Sequence, residues 1–136
     1  MSVLICGSMA YDNIMVFPGR FKEHILPDQL HILNVAFLVP EMRKEFGGCA
    51  GNVAYDLRLL GEQPQIMATV GEDFPVYADR LRGQSLDQRY ISTIDGTLTA
   101  QAYITTDLDA NQITAFHPGA MDHAHQNQVP VDAGIT

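Results

Sequence analysis

The sequence predicts an α/β layered fold in which parallel strands alternate with helices. Two short apolar runs, at residues 3–6 and 65–70, have the composition of buried parallel strands. Between them, residues 50–60 carry apolar side chains at helical spacing, and a second helix is predicted at 74–81 with Asp73 as its N-cap. This strand and helix rhythm favours a layered sheet with right-handed crossovers.

A glycine-rich segment opens the first of these helices. Gly47, Gly48 and Gly51 surround the start of the helical pattern, and Gly61 stands where a left-handed residue would end it. Helix N-termini carry unpaired backbone N–H groups, and glycine lets a ligand approach the main chain closely. Asn52 adds a side chain that both donates and accepts hydrogen bonds. The segment is either a ligand site or a tight turn.

A second candidate position follows the first strand. Gly7 and Ser8 end that strand, and Asp12 comes five residues after Gly7. Functional groups often lie at the carboxyl ends of parallel strands. Asp12 either makes an Asx turn at the entrance of the next strand or accepts hydrogen bonds from the hydroxyl groups of a ligand. The residue alone leaves both interpretations open.

Three further runs predict β-structure. Residues 31–39 are apolar on both alternating faces, which predicts a strand covered on both sides, either in a small projecting sheet or in the central core. Residues 90–94 predict one more strand. The runs 99–106 and 112–117 predict a hairpin, because the polar loop 107–111 separates them.

The composition excludes several classes of protein. The chain has 136 residues, 46% hydrophobic and 18% charged, which suits one folded domain or part of one. A net charge of −8, from sixteen acidic against eight basic residues, disfavours nucleic acid binding. No membrane helix and no basic secretory signal are evident, so we expect a cytoplasmic protein with Cys6 and Cys49 as free thiols. We expect His117, His123 and His125 at the surface rather than in a metal site.

The glycine pattern is similar to that of a known family. The residues Gly47-Gly48, Asn52, Ala54, Gly61 and Gly71 together resemble the N-terminal signature of the ribokinase-like (PfkB) carbohydrate and nucleoside kinases. The resemblance implies a three-layer α/β core with a small β-sheet lid, and ATP-dependent phosphorylation of a nucleoside or sugar hydroxyl. Segments such as 17–21 and 116–121 resemble the bacterial adenosine-kinase branch, whereas Ala36 and Ala102 depart from it. The acceptor therefore stays open.

This resemblance implies substrate contacts for seven residues. The acceptor hydroxyls would be held by Ser8, Asp12, Gly47, Gly48 and Asn52, and a nucleobase would lie beside Phe116 and Met121. The family's Gly-Ala-Gly-Asp motif, whose Asp is the catalytic base, does not occur, and the late Asp132-Ala133-Gly134 lacks its second glycine and final Asp. ATP and Mg²⁺ are thus implied by the resemblance, while the chain supplies no catalytic, cofactor-binding or metal-binding residue.

We interpret residues 1–136 as the N-terminal, acceptor-binding part of a PfkB-type kinase domain, with lid strands at about 11–39 and 98–117 and without the C-terminal ATP-binding half. The chain by itself is expected to be inactive. The alternative is a non-catalytic module that binds a nucleoside or sugar, or dimerises. The two-faced run at 31–39 further predicts a homodimer through the lid strands.

Overall fold

Two β-sheets and two α-helices organise residues 3–131, the part of the chain that this computed structural model describes. The strands are β1 (Leu4–Cys6), β2 (Ala10–Val16), β3 (Met42–Gly47), β4 (Gln65–Val70), β5 (Asp87–Thr93), β6 (Ala100–Thr106) and β7 (Gln112–His117), and the helices are α1 (Cys49–Leu59) and α2 (Pro75–Gly83). One sheet has the order β1-β4-β5 and the other the order β3-β2-β6-β7. Asp132-Ala133-Gly134 lies outside the described residues.

The three-stranded sheet is parallel throughout, with β4 between β1 and β5. Alternate residues of β4, namely Ile66, Ala68 and Val70, are buried in one core together with side chains of α1 and α2 such as Ala54 and Leu81. Burying one large aliphatic side chain contributes roughly 1.5–3 kcal/mol, so this face is the main source of stability in the sheet. The predicted α/β layering is confirmed.

Two glycines with positive φ flank helix α1. Gly48, the residue before the helix, has φ +93°, and Gly61 has φ +91°. At the C-terminus the Gly61 N–H donates to the Arg58 carbonyl at 3.1 Å, and the Glu62 N–H donates to the Leu57 carbonyl at 3.0 Å. This pair of bonds is a Schellman motif, which confirms the predicted helix end.

Helix α2 confirms the second predicted helix, but its N-cap is Phe74 rather than Asp73, and no side chain caps it. The Asp73 carboxylate instead accepts hydrogen bonds from the Thr99 N–H at 2.7 Å and from Gln101 Nε2 at 2.9 Å. The prediction of Asp73 as N-cap is therefore wrong, because donors from the other sheet occupy its carboxylate.

The predicted strand at residues 31–39 is also wrong. Pro27–Ile32 forms 3-10 helix, and residues 33–39 have no regular structure. The Phe37 ring lies 4.9 Å, centre to centre, from the rings of both Phe17 and Phe21. In this segment Phe37 packs onto an aromatic cluster, whereas Ile32, Leu33 and Leu38 are largely exposed, so the run is not a strand with two covered faces.

The sequence analysis did not predict β3, which pairs antiparallel with β2 at one edge of the four-stranded sheet. Its first four residues are exposed and mostly charged. An edge strand of an antiparallel pair needs no continuous apolar run, so the apolar pattern did not reveal it.

The predicted hairpin is confirmed, since β6 and β7 pair antiparallel across the loop 107–111. Asp107 is buried at its start and accepts hydrogen bonds from the backbone N–H groups of Asp109, Asn111 and Phe21. One carboxylate therefore fastens this hairpin to the segment after β2. Among residues 3–131, no helix has the length and apolar character that crossing a bilayer requires.

Candidate functional site

Ser8 supplies the N-terminal cap of α1 from the loop between β1 and β2. Its Oγ accepts a hydrogen bond from the Cys49 N–H at 3.0 Å, and its carbonyl oxygen accepts one from the Ala50 N–H, also at 3.0 Å. Gly48 stands at the N-cap and has no side chain to serve these donors. Ser8 therefore ties the end of β1 to the glycine segment, and its hydroxyl hydrogen stays available to a ligand.

Gly48 is required to be glycine for two reasons. Its φ of +93° is rarely adopted by residues with a side chain, and a Cβ there would lie 2.5 Å from the Ser8 carbonyl oxygen and 2.7 Å from the Met9 Cα. The backbone of residues 8–10 thus packs directly on Gly48. This contact brings the Ser8 loop and the start of α1 into one site.

Asp12 lies within β2, and its carboxylate sits against Gly47, where a Cβ would collide with it. Among residues 3–131 the carboxylate has no hydrogen-bond or ion-pair partner, so the Asx-turn interpretation is wrong. Burial raises the pKa of Asp12 above its ordinary value. A half-buried carboxylate without a protein partner is suited to accept hydrogen bonds from a ligand.

Asp12 belongs to a row of side chains that crosses the four-stranded sheet. The register pairs Asp12 with Glu45 on β3 and with Ala102 on β6, and Ala102 pairs with Phe116 on β7. Paired residues project from the same face, which we call the Asp12 face. Phe116 stands two strand spacings, roughly 10 Å, from Asp12, and the small, buried Ala102 lies between them.

Met121 lies in a 3-10 helix, Gly119–Gln126, and joins Ser8 in the lining of a cavity of about 360 Å³. The cavity opens at the carboxyl ends of β1 and β4. Its wall also contains Thr69, whose buried hydroxyl has no hydrogen-bond partner among the described residues. Phe116 does not line this cavity. Ser8 and Met121 therefore share one cavity, while Asp12 and Phe116 share one face.

Asn52 lies in the first turn of α1 with its side chain exposed, and its backbone N–H donates to the Gly48 carbonyl at 3.0 Å. Its side-chain amide makes no hydrogen bond to another described residue. The seven residues singled out from the sequence thus lie at three places: the N-terminus of α1, the Asp12 face and the Ser8 cavity.

The sequence analysis missed Tyr77. This tyrosine on α2 is 2% exposed, and its hydroxyl donates to the Gly47 carbonyl oxygen at 2.9 Å. Burial raises the pKa of Tyr77 to about 12, so the hydroxyl stays protonated near neutral pH. One signal was available, because a tyrosine at a core position of a helix normally needs a partner for its O–H.

Within residues 3–131, no group of three or more His, Cys, Asp or Glu side chains is placed to hold a metal ion. We derive no step that passes through the Mg²⁺ that the family resemblance implies.

This chain is similar to known nucleoside kinases. A nucleoside kinase of Methanothermobacter thermautotrophicus is 29% identical over 133 residues, which are 96% of this chain and 40% of that protein. Among solved structures, the nucleoside kinase of Burkholderia thailandensis in complex with inosine is 51% identical with a TM-score of 0.83, and the match covers 99% of this chain and 42% of that one. The nucleoside kinase of Methanocaldococcus jannaschii, described as an archaeal member of the ribokinase family, gives a TM-score of 0.80 at 28% identity, covering 95% and 40% of the two chains.

The chain spans about 40% of the length of these relatives. The predicted ribokinase-like fold is confirmed for its N-terminal portion. Residues 8–133 match the family described as pfkB family carbohydrate kinase. Because this match covers most of the sequence, the chain belongs to the pfkB family of carbohydrate kinases.

Proposed function

We propose that this chain forms the acceptor-binding part of an ATP-dependent nucleoside kinase. The observation that carries the proposal is the half-buried Asp12 carboxylate, which lies against Gly47 and has no partner among residues 3–131. A charged acceptor that folding leaves unpaired is explained when a ligand supplies the donors. Two neighbouring hydroxyl groups, such as those of a ribose, match the two oxygens of one carboxylate.

Other residues complete this acceptor site. Ser8, Gly48 and Asn52 lie around the N-terminus of α1 and offer a hydroxyl, a backbone N–H and an amide to the sugar. Phe116, on the Asp12 face, and Met121, in the Ser8 cavity, then flank the base. The four-stranded sheet acts as the lid that covers the acceptor.

Inosine is the acceptor to test first, because the Burkholderia thailandensis relative was solved with inosine. Adenosine and ribose are the two comparisons that separate base recognition from sugar recognition.

Calorimetric titration tests this proposal on the 136-residue chain. We expect inosine to bind and ribose to bind more weakly, because ribose lacks the base. Equal affinities for inosine and ribose would contradict the roles of Phe116 and Met121. If neither compound bound, the acceptor-site proposal would be refuted. The alternative function as a dimerisation module would then remain.

ATP is the second substrate in this proposal, and the Burkholderia thailandensis relative has also been solved in complex with ADP-inosine. Residues 3–131 contain no metal-binding cluster. Because the chain spans about 40% of the length of its relatives, we assign phosphoryl transfer to a part of the enzyme outside these residues and expect the isolated chain to be inactive. Incubation with inosine and MgATP, followed by chromatography for inosine monophosphate, checks this. Turnover near an ordinary kinase rate, on the order of 1 s⁻¹ or above, would contradict it.

We also propose a homodimer through the lid sheet, on a different surface from the 31–39 segment. The face opposite Asp12 carries a row in which Met15 pairs with Met42 and, through Thr105, reaches Ile113. Met42 is 62% exposed and Ile113 is 44% exposed. Isologous pairing of two copies would bury this apolar row.

Sedimentation velocity at micromolar concentration tests the dimer. The wild type should sediment as a dimer and Ile113→Asp as a monomer, since a charge would enter the interface. Thr114→Asp is the matched control, because Thr114 lies next to Ile113 on the same strand and projects from the opposite face. A monomeric wild type would contradict the proposal.

A further inference from the structure

We propose that Tyr77 is a positioning residue for the acceptor: its hydroxyl fixes the peptide between Gly47 and Gly48 so that the Gly48 N–H faces the ribose. This inference rests on the proposed function and adds to it a residue outside the family signature.

The geometry of one hydrogen bond carries the inference. The Tyr77 O–H donates to the Gly47 carbonyl oxygen at 2.9 Å. Residues 3–131 contain no cis peptide bond, so the carbonyl oxygen of Gly47 and the N–H of Gly48 point in opposite directions. A hydroxyl that holds the carbonyl oxygen toward α2 therefore turns the Gly48 N–H away from α2. The Asp12 carboxylate lies against Gly47 and the backbone of Ser8 lies against Gly48, so the proposed acceptor contacts flank this peptide.

A glycine peptide needs such a restraint more than others do. Gly47 and Gly48 lack the side chains that limit backbone rotation, and Gly48 already has φ +93°. Without the Tyr77 hydroxyl, the Gly47 carbonyl loses a partner, and the direction of the Gly48 N–H is less firmly held. The cost of ordering it would then fall on ligand binding.

The position of the Tyr77 hydroxyl is itself well determined. The Tyr77 ring packs against Phe46, Phe74 and Tyr11, with centroid distances of 4.8, 5.7 and 5.8 Å. Gly51 clears space for the hydroxyl, because a Cβ at that position would collide with the Tyr77 oxygen. The third glycine of the segment is thus explained by Tyr77.

Tyr77→Phe is the direct test, since it keeps the ring packing and removes only the hydroxyl. Titrations use inosine, 2′-deoxyinosine and 3′-deoxyinosine. We expect inosine to bind about fivefold more weakly, the effect of losing roughly one net hydrogen bond. For the deoxy compound that lacks the hydroxyl reached by Gly48, the wild type and the variant should bind equally. A merely structural role would weaken all three compounds alike.

Tyr11→Phe is the matched control. Tyr11 is equally buried, and its hydroxyl also donates to a backbone carbonyl, that of Asp73, at 2.9 Å. This bond does not involve the Gly47 peptide. Inosine should bind Tyr11→Phe as it binds the wild type, and thermal unfolding of both variants shows whether their losses of stability match.

The outcomes separate this inference from the proposed function. If the wild type binds inosine and Tyr77→Phe binds it equally well, or if Tyr11→Phe weakens binding as much, the inference is refuted while the function stands. A wild type that binds no nucleoside refutes both. If Tyr77→Phe does not fold, Gly51→Ala takes its place, because its methyl group displaces the same hydroxyl. Unchanged inosine binding by that variant would then refute the inference.

Discussion

Replacing Asp12 with Asn should weaken inosine binding strongly and leave the fold intact. The substitution keeps the shape of the side chain and removes its charge. Hydrogen bonds to charged groups contribute roughly 1.5–3 kcal/mol, which corresponds to about 10- to 150-fold in affinity. Since Asp12 has no partner among residues 3–131, the substitution breaks no contact within the protein, and this loss should appear in ligand binding.

The stability of the same variant should move in the other direction. Burial raises the pKa of Asp12, so the folded chain holds the carboxylate less favourably than the unfolded chain does. This penalty is present above the folded-state pKa and disappears as the pH falls below the unfolded-state value. At pH 7.5, Asp12→Asn should therefore keep or raise the melting temperature, whereas an average substitution lowers stability by about 1 kcal/mol.

Calorimetric titration with inosine and differential scanning calorimetry, both at pH 7.5, measure these two effects. Glu45→Gln is the matched control. Glu45 pairs with Asp12 across β2 and β3, so this substitution removes the same charge from the same face. The Glu45 carboxylate lies 3.8 Å from Arg43 Nε, and the atoms nearest a Cβ at Gly47 belong to Asp12 rather than Glu45, so inosine affinity should change little. If the two variants lost affinity equally, the loss would come from removing a negative charge from this face of the sheet and not from a direct contact between Asp12 and inosine. If Asp12→Asn bound inosine like the wild type, Asp12 would not hold the acceptor.

Two further substitutions test the backbone at Gly48 and the anchoring of the hairpin of β6 and β7. Gly48→Ala should lower the free energy of unfolding in urea by about 2 kcal/mol or more, through strain at positive φ and overlap with Ser8, whereas Gly83→Ala, whose Cβ meets nothing within 4 Å, should not. Asp107→Asn should lower the melting temperature at pH 7, because the Phe21 N–H and the hairpin loop lose a charged acceptor. Although desolvation alone would raise the pKa of Asp107, hydrogen bonds hold it below its ordinary value, so the deficit should shrink as the pH falls below about 4. A deficit independent of pH would show that the charge of Asp107 is not what fastens the hairpin.

The elements that were predicted correctly are those whose signals are local. Helix α1 has its apolar spacing and its terminal Gly61 within one stretch of chain, and the positive φ of Gly61 is a property of that residue type. The hairpin of β6 and β7 likewise has its polar loop between two β-rich runs. Such elements are recognisable because the pattern of the element and the residues that end it are adjacent in the sequence.

The errors arise where the deciding partner is distant. Phe37 packs on the aromatic cluster of Phe17 and Phe21, and the alternation of residues 31–39 imitates a strand. The Asp73 carboxylate does not cap the helix that follows it. It accepts hydrogen bonds from Thr99 and Gln101, which lie 26 and 28 residues later in the chain. Apolar spacing contains no information on either contact.

The candidate site combines both situations, since its motif is local and its geometry is not. Each glycine of the motif leaves space for a different part of the chain. A Cβ would collide with Asp12 at Gly47, with the backbone of Ser8 at Gly48, and with Tyr77 at Gly51. The three glycines are therefore required for three separate packing reasons and not for general flexibility. Substitutions at the three positions should have different effects on binding and stability.

Gly47→Ala should separate binding from stability. Its methyl group would meet the carboxylate of Asp12, the movable end of a side chain, whereas the methyl group of Gly48→Ala would meet backbone atoms. Gly47→Ala should therefore displace the carboxylate and reduce inosine affinity at least tenfold, with a smaller loss of stability than Gly48→Ala. Titration with inosine and urea denaturation of both variants measure the two quantities. Equal losses of stability with retained inosine affinity would show that the glycines serve only the turn, because the carboxylate could then leave Gly47 without consequence for the ligand.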